Sequence, residues 1–154
     1  MSRPEAPVSI RLHGLLDEPA ELTVAQLRDL PSHHVEARFN CLGNGDQRHG
    51  FDGPRLWDVV RAARPRVDLQ GRRERLRFLL TVTGADGHCA VVSWAEIDPD
   101  FGGQQILLAT SIDGAPLDTA GPQLVVPADY CGARYISGIT EVWGAPSDGE
   151  PPHG

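Results

Sequence analysis

Three cysteines, Cys41, Cys89 and Cys131, are the residues of this sequence best suited to redox or metal chemistry, and their settings differ. Cys41 closes an alternating segment, His33 to Cys41, in which Val35, Ala37, Phe39 and Cys41 fall on one face and His34, Glu36, Arg38 and Asn40 on the other. Gly43, Asn44 and Gly45 follow at once, in a stretch from Leu42 to Gly50 too rich in glycine for regular structure and expected to be a loop. A strand that fixes a sulfur beside glycines, whose backbone N–H groups can approach an anion, is a setting for a thiolate ligand. Simple packing competes with that reading, because free cysteine is among the most often buried residue types. Cys89, in a hairpin strand, and Cys131, in a loop, read as structural. An odd number of cysteines at wide spacing gives neither a disulfide framework nor a Cys-x-x-Cys metal knuckle.

The cations are the second chemical signal. All 14 basic residues are arginine, 13 of them at or before Arg77, so that Arg134 stands alone in an acidic half of the chain. A lone fixed guanidinium there is suited to meeting an anion. The run Arg72, Arg73, Arg75, Arg77 reads instead as a solvated loop and strand edge. Asp129 and Tyr130 lie in a loop just before Arg134, where a ligand contact and simple turn formation explain them equally well. His33 and His34 adjoin on a strand, point to opposite faces and cannot share one mononuclear metal site. Ser93 reads as a helix cap, and Trp57 and Trp94 as core or rim residues. A net charge of −7 disfavours nucleic acid and anionic membranes as partners. No stretch approaches the roughly 20 apolar residues of a membrane span, and Met1 to Ile10 has no apolar signal segment, so the expected location is the cytoplasm.

The elements that must position these residues are short. With 17 Gly and 13 Pro in 154 residues, many brief strands and turns are favoured over long helices. Val8 to His13 alternates as a first strand. Thr23 with Gln26 forms a capping box for a helix to Leu30, Gly53-Pro54 starts an amphipathic helix ending near Pro65, and Ser93 with Glu96 caps a helical turn ended by Pro99. Leu76 to Thr83 and His88 to Val92 make a hairpin around Ala85-Asp86-Gly87, Ile106 to Thr110 is a buried strand bent at Asp113-Gly114, and Leu124 to Val126 and Tyr135 to Val142 close the sheets. The expectation is α+β, with mixed or antiparallel sheets and a few short helices, as one domain over 1–145 followed by a disordered tail at 146–154.

Four blocks in order then carry a family resemblance. Phe39-Asn40-Cys41-Leu42-Gly43-Asn44-Gly45 resembles the C-A-G-N pattern of sulfite oxidases, and Gly53 to Val60 resembles their G-V-x-L-x-D-V-L helix start. Ile106 to Ala109, Asp113 to Leu117 and Val125 to Pro127 resemble V-L-L-A, N-G-x-P-L and V-V-P, and Gly132 to Ile139 resembles G-A-R-H-V-K-W-L. Where that last pattern carries His, Lys and Trp, this chain has Tyr135, Ser137 and Gly138, leaving Arg134 as the block's cation. The resemblance is to the sulfite-oxidase-like molybdopterin-binding family, over about Leu12 to Val142. It implies that fold, a molybdenum cofactor of the molybdopterin type held through the Cys41 thiolate, and contacts to it from Gly43, Asn44, Gly45, Asp129, Arg134 and Tyr135. The implied activity is oxygen-atom transfer on a small oxo-substrate, with a separate electron carrier. A non-catalytic protein of the same fold, holding a pterin without metal or another small ligand and acting through a partner, is the alternative.

Overall fold

The computed structural model describes residues 8–41, 45–66 and 71–147, with Cys41 described as backbone. Along the chain run β1 (Ser9–Gly14), β2 (Ala20–Thr23), α1 (Val24–Arg28), β3 (His33–Cys41), β4 (Gly45–Gly53), α2 (Leu56–Ala62) and α3 (Arg72–Leu76). There follow β5 (Phe78–Gly84), β6 (Cys89–Ser93), α4 (Trp94–Ile97), β7 (Leu107–Ala109), β8 (Ser111–Ile112), β9 (Ala115–Pro116), β10 (Gln123–Val125), a 3-10 turn (Gly132–Arg134) and β11 (Ile139–Pro146).

Alternation builds the largest sheet. In β5 the residues Phe78, Leu80 and Val82 are fully buried while Leu79, Thr81 and Thr83 are half-buried, the period-two signature of a strand with one face on the core. The sheet order is β2-β1-β11-β5-β6; β1 and β11 run parallel and the other neighbours antiparallel. A second, antiparallel sheet has the order β3-β4-β8-β9, and β10 pairs with β7 in a third. Buried side chains from all three sheets and from α1, α2 and α4 form one continuous cluster, including Leu12, Leu27, Phe51, Leu56, Val82, Trp94, Leu108 and Val142. These mixed sheets with a few short helices are the α+β architecture that the sequence predicts. Both expected capping boxes form, Thr23 with Gln26 and Ser93 with Glu96.

Four expectations need correction. The glycine-rich stretch expected as a loop is a strand from Gly45 onward. Residues 45–53 form β4, in unbroken register with β3 from Cys41↔Gly45 to His33↔Gly53, because an adjacent strand supplies every ladder partner and Gln47, His49 and Phe51 continue the inward alternation. Gly53 belongs to that strand and not to a helix start: a Cβ there would strike the carbonyl of Leu108, so β4 can lie against β7 only with glycine at that position. The arginine run is a helical turn over Arg72–Leu76 and not a loop, and although Arg72, Arg73 and Arg77 are exposed as expected, Arg75 is buried. Tyr135 lies outside the last strand, which begins at Ile139 after the 3-10 turn and extends to Pro146. Residues 148–154 of the expected tail, and Gly43 and Asn44 of the expected site, lie outside the described residues.

Candidate functional site

The end of the β3–β4 hairpin is tied down by one carboxylate. Asp46 Oδ2 accepts from Arg38 Nη2 at 2.9 Å, and its Oδ1 accepts from Asn40 Nδ2 and from the Tyr130 hydroxyl, both at 3.0 Å. Arg38 first, then Asn40 and Tyr130, hold the Asp46 carboxyl down at a pKa of about 2. The Asn40 backbone N–H donates to the Tyr130 carbonyl at 2.7 Å, and Asn40 bridges Cys131 in parallel. The segment leading into the 3-10 turn is therefore stitched alongside the end of β3, whose final residue is Cys41, in register with Gly45.

Beside this end lies a cleft of about 210 Å³. Phe39, Gln47 and His49 of the hairpin line one side, with Ile112 from β8, and Gln123, Gly132, Tyr135 and Ser137 complete it. The Tyr135 ring stacks on Phe39 with centroids 4.0 Å apart and planes 23° apart, and its hydroxyl donates to the Val126 carbonyl at 3.0 Å. Burial, followed by the charge of Asp129, pushes the Tyr135 phenol up to about 12, which makes it a neutral wall at any physiological pH.

His49 is the titratable ring of the cleft wall. Its Nδ1 lies 2.6 Å from Asp113 Oδ2, and the other Asp113 oxygen accepts from the Gly50 N–H at 2.8 Å. That N–H, and after it His49, holds the Asp113 carboxyl below its ordinary range. An ionised Asp113 keeps the proton on Nδ1, so proton exchange falls to Nε2, 3.2 Å from Gln47 Oε1. A protonated ring donates to that amide oxygen; a neutral one requires the Gln47 amide to turn its nitrogen inward.

Arg134 faces the other way. Nε and Nη2 donate to Asp129 at 2.7 and 2.9 Å, Nη1 and Nη2 donate to Glu96 at 3.3 and 3.0 Å, and Nη1 also donates to the Val91 carbonyl at 3.1 Å. Five bonds use the five N–H donors of a guanidinium, and the two carboxylates raise its pKa still further. Adjacent residues of one short turn thus have different tasks: Arg134 rivets it to β6 and α4, and Tyr135 presents a ring to the cleft.

Of the residues singled out in the sequence, the structure brings Tyr135 to the cleft and places Cys41 and Gly45 at the adjoining hairpin end; Asp129 is bound up with Arg134. Cys89 and Cys131 are exposed free thiols, Trp94 is buried, and His34 lies on the surface between Glu36 and Asp52 at 2.8 Å from each. Sequence reasoning missed His49, Gln47 and Gln123. For the first two a signal existed, since the alternation of β3 resumes after Gly45 as Gln47, His49, Phe51.

The model of the oxidoreductase molybdopterin binding domain matches residues 3–145. The chain belongs to that family. No curated protein sequence matches it. The sulfane dehydrogenase SoxCD from Paracoccus pantotrophus is similar in structure, with a TM-score of 0.71 at 16% identity over 93% of this chain, which spans 39% of that chain's length. At such identity the likeness shows the shared fold, the sulfite-oxidase-like molybdopterin-binding domain. Among the described residues no helix is long and apolar enough to cross a membrane.

The donor set of this domain's cleft fits the head group of a pterin cofactor. Two amides, a hydroxyl and an imidazole can meet the alternating donors and acceptors of a pterin edge, and the stacked Phe39–Tyr135 pair offers a flat apolar wall. Among the described residues no arginine lines the cleft, and the donors of Arg134 are already used.

Proposed function

We propose that this domain is an oxidoreductase that transfers an oxygen atom to or from a small oxo-substrate, using a molybdenum–pterin cofactor to which Cys41 gives its thiolate. One observation carries the reading: the end of β3, where Cys41 stands, adjoins a cleft whose neutral polar groups and stacked rings suit a pterin. When bound, the cofactor would supply two-electron oxygen-atom exchange with a substrate such as sulfite or a sulfoxide, and a separate carrier would take or give the electrons.

The chain's own residues would do the rest. Cys41 would hold the metal as a soft donor, and the backbone at 43–45 would approach the pterin. Gln47 and Gln123 would orient its edge, and Phe39 with Tyr135 would exclude water from one face. His49 Nε2 would hold or release the proton that accompanies the oxygen exchange, with Asp113 fixing the tautomer through Nδ1. Asp129 and Arg134 would act by holding the turn that presents Tyr135.

A second reading, a non-catalytic domain that binds a phosphate-free pterin, is favoured by the five occupied donors of Arg134. A cofactor phosphate would have to displace Asp129 or Glu96 to reach it. The experiment is molybdenum and pterin analysis, with dye-coupled turnover of simple sulfur oxides, on protein from a host that makes the cofactor. Cys41→Ser is expected to abolish turnover while retaining most of the pterin, and His49→Gln to lower turnover with the pterin retained. Molybdenum and activity that persist unchanged in Cys41→Ser would remove Cys41 from its role. Wild type that takes up pterin and never molybdenum would establish the second reading.

A further inference from the structure

We propose that a cavity walled by α2, α3, Trp94 of α4 and the segment after α4 is a binding site for a small organic carboxylate. It has a volume of about 320 Å³ and shares no lining residue with the cleft beside Cys41. Helix α2 contributes Trp57 and Arg61, α3 contributes Arg75, and Asp98, Pro99 and Asp100 close it.

The argument rests on which polar groups remain unused. Asp98 Oδ2 accepts from Trp94 Nε1 at 2.8 Å and from Arg75 Nη1 at 3.3 Å, while its Oδ1 accepts from the Asp100 N–H at 2.8 Å. Asp100 Oδ2 accepts from Arg75 Nη1 at 2.6 Å. Both acidic residues are engaged. The donors are not: Trp57 Nε1 and Arg75 Nε are buried without a partner. Arg61 sits over the Trp57 ring, 4.7 Å from its centroid, and makes no ion pair among the described residues. A buried N–H without an acceptor is unfavourable, so a ligand acceptor that reached either group as the side chains adjust would be stabilised. The cavity's own lining pairs two guanidiniums, Arg61 and Arg75, with two carboxylates in a chain whose net charge is −7, and a neighbouring recess adds Arg72. This balanced lining, with a further cation nearby, opposes an anion less than the acidic remainder of the molecule does.

Shape selects among anions. The coplanar N–H fork of Arg61 matches a planar carboxylate in two parallel bonds. The remaining volume accommodates an organic body against Pro99 and the Trp57 edge, which a bare tetrahedral oxoanion would leave unfilled.

The test is titration of the full chain with benzoate, acetate and sulfate, followed by tryptophan fluorescence and calorimetry. Benzoate should bind saturably and more tightly than sulfate. Arg61→Gln, at an exposed helix position that leaves the fold intact, should weaken benzoate by about tenfold or more through loss of the charge-assisted pair. Trp57→Phe keeps the ring, removes the N–H, and should weaken it several-fold. No saturable benzoate binding up to millimolar concentrations would overturn the proposal, as would equal affinity in Arg61→Gln. Tighter binding of sulfate than of benzoate would overturn the carboxylate assignment. None of these readouts depends on molybdenum or pterin, so the outcome is independent of the function proposed for the cleft.

Discussion

Two arginines of this domain each meet two carboxylates, with opposite results. Arg134 is half-buried, and Asp129, Glu96 and the Val91 carbonyl use all of its donors. Arg75 is buried, yet both of its carboxylates, Asp98 and Asp100, crowd onto Nη1 and leave Nε without a partner. The difference follows from where the acids stand. Glu96 and Asp129 come from separate elements and approach the guanidinium from two sides. Asp98 and Asp100 come from one short segment, whose own Asp100 N–H to Asp98 bond holds them on the same side. A guanidinium met from two sides becomes a structural rivet; one met from a single side keeps directional donors for something else.

The largest effect should come from the buried set. Asp98→Ala removes the acceptor of Trp94 Nε1 and the more buried partner of Arg75 together. With Asp98 only 5% exposed, the expected loss is about 3–5 kcal/mol, read from the midpoint of urea denaturation. Arg134→Ala should cost less, about 1–2 kcal/mol, because solvent screens a pair that is partly exposed. Arg134→Lys should recover only part of it, since an ammonium has three donors in place of five and cannot pair with Asp129 and Glu96 through two bonds each. Equal losses from Asp98→Ala and Arg134→Ala would break the comparison.

The same two arginines mark the limit of what the sequence reveals. The β-rich α+β fold, both capping boxes and the hairpin of β5 and β6 are legible because each depends on near neighbours: alternation, a Thr or Ser three residues from Gln or Glu, an Asp-Gly turn. Arg134 reads as a free cation because Glu96 is 38 residues away in sequence, and Arg75 reads as solvated because its run looks uniformly charged. Pairing over such distances is set by packing and leaves no local pattern. The cleft was legible by halves. The family blocks point to Cys41 and Tyr135, whereas His49 was hidden by a glycine count that read β4 as a loop, and its partner Asp113 comes from the β8–β9 turn.

A smaller effect isolates the neighbour of Arg134. Tyr135→Phe keeps the ring on Phe39 and removes the hydroxyl that donates to the Val126 carbonyl. The Val126 carbonyl keeps its bond from the Asp129 N–H at 2.9 Å, so losing one of its two donors should cost only about 0.5–1 kcal/mol, with no change in Phe39 packing. A loss as large as that of Arg134→Ala would mean that the turn is held by the Tyr135 bond and not by the guanidinium.

Asp46 is the exposed limit of the same arrangement, and the smallest effect on stability belongs to it. Its partners are again drawn from different elements, Arg38 and Asn40 from β3 and Tyr130 from the loop before the 3-10 turn, but its side chain is 42% exposed. Its pKa falls from 3.8 to about 2. A carboxyl whose pKa is depressed by folding contributes stability that is fully present above the unfolded value and is lost as pH drops through the folded one. The hairpin end beside Cys41 should therefore stay clamped at pH 4 and come loose only as pH approaches about 2. Side-chain carboxyl NMR can follow Asp46 directly, and Arg38→Gln should return its titration most of the way to the ordinary range, because Arg38 is the foremost cause of the shift. An Asp46 that titrates near 3.8 in the wild type would show that solvent already screens this clamp. Multi-sided pairing would then matter only where burial, as around Arg134, keeps water from competing for the same donors.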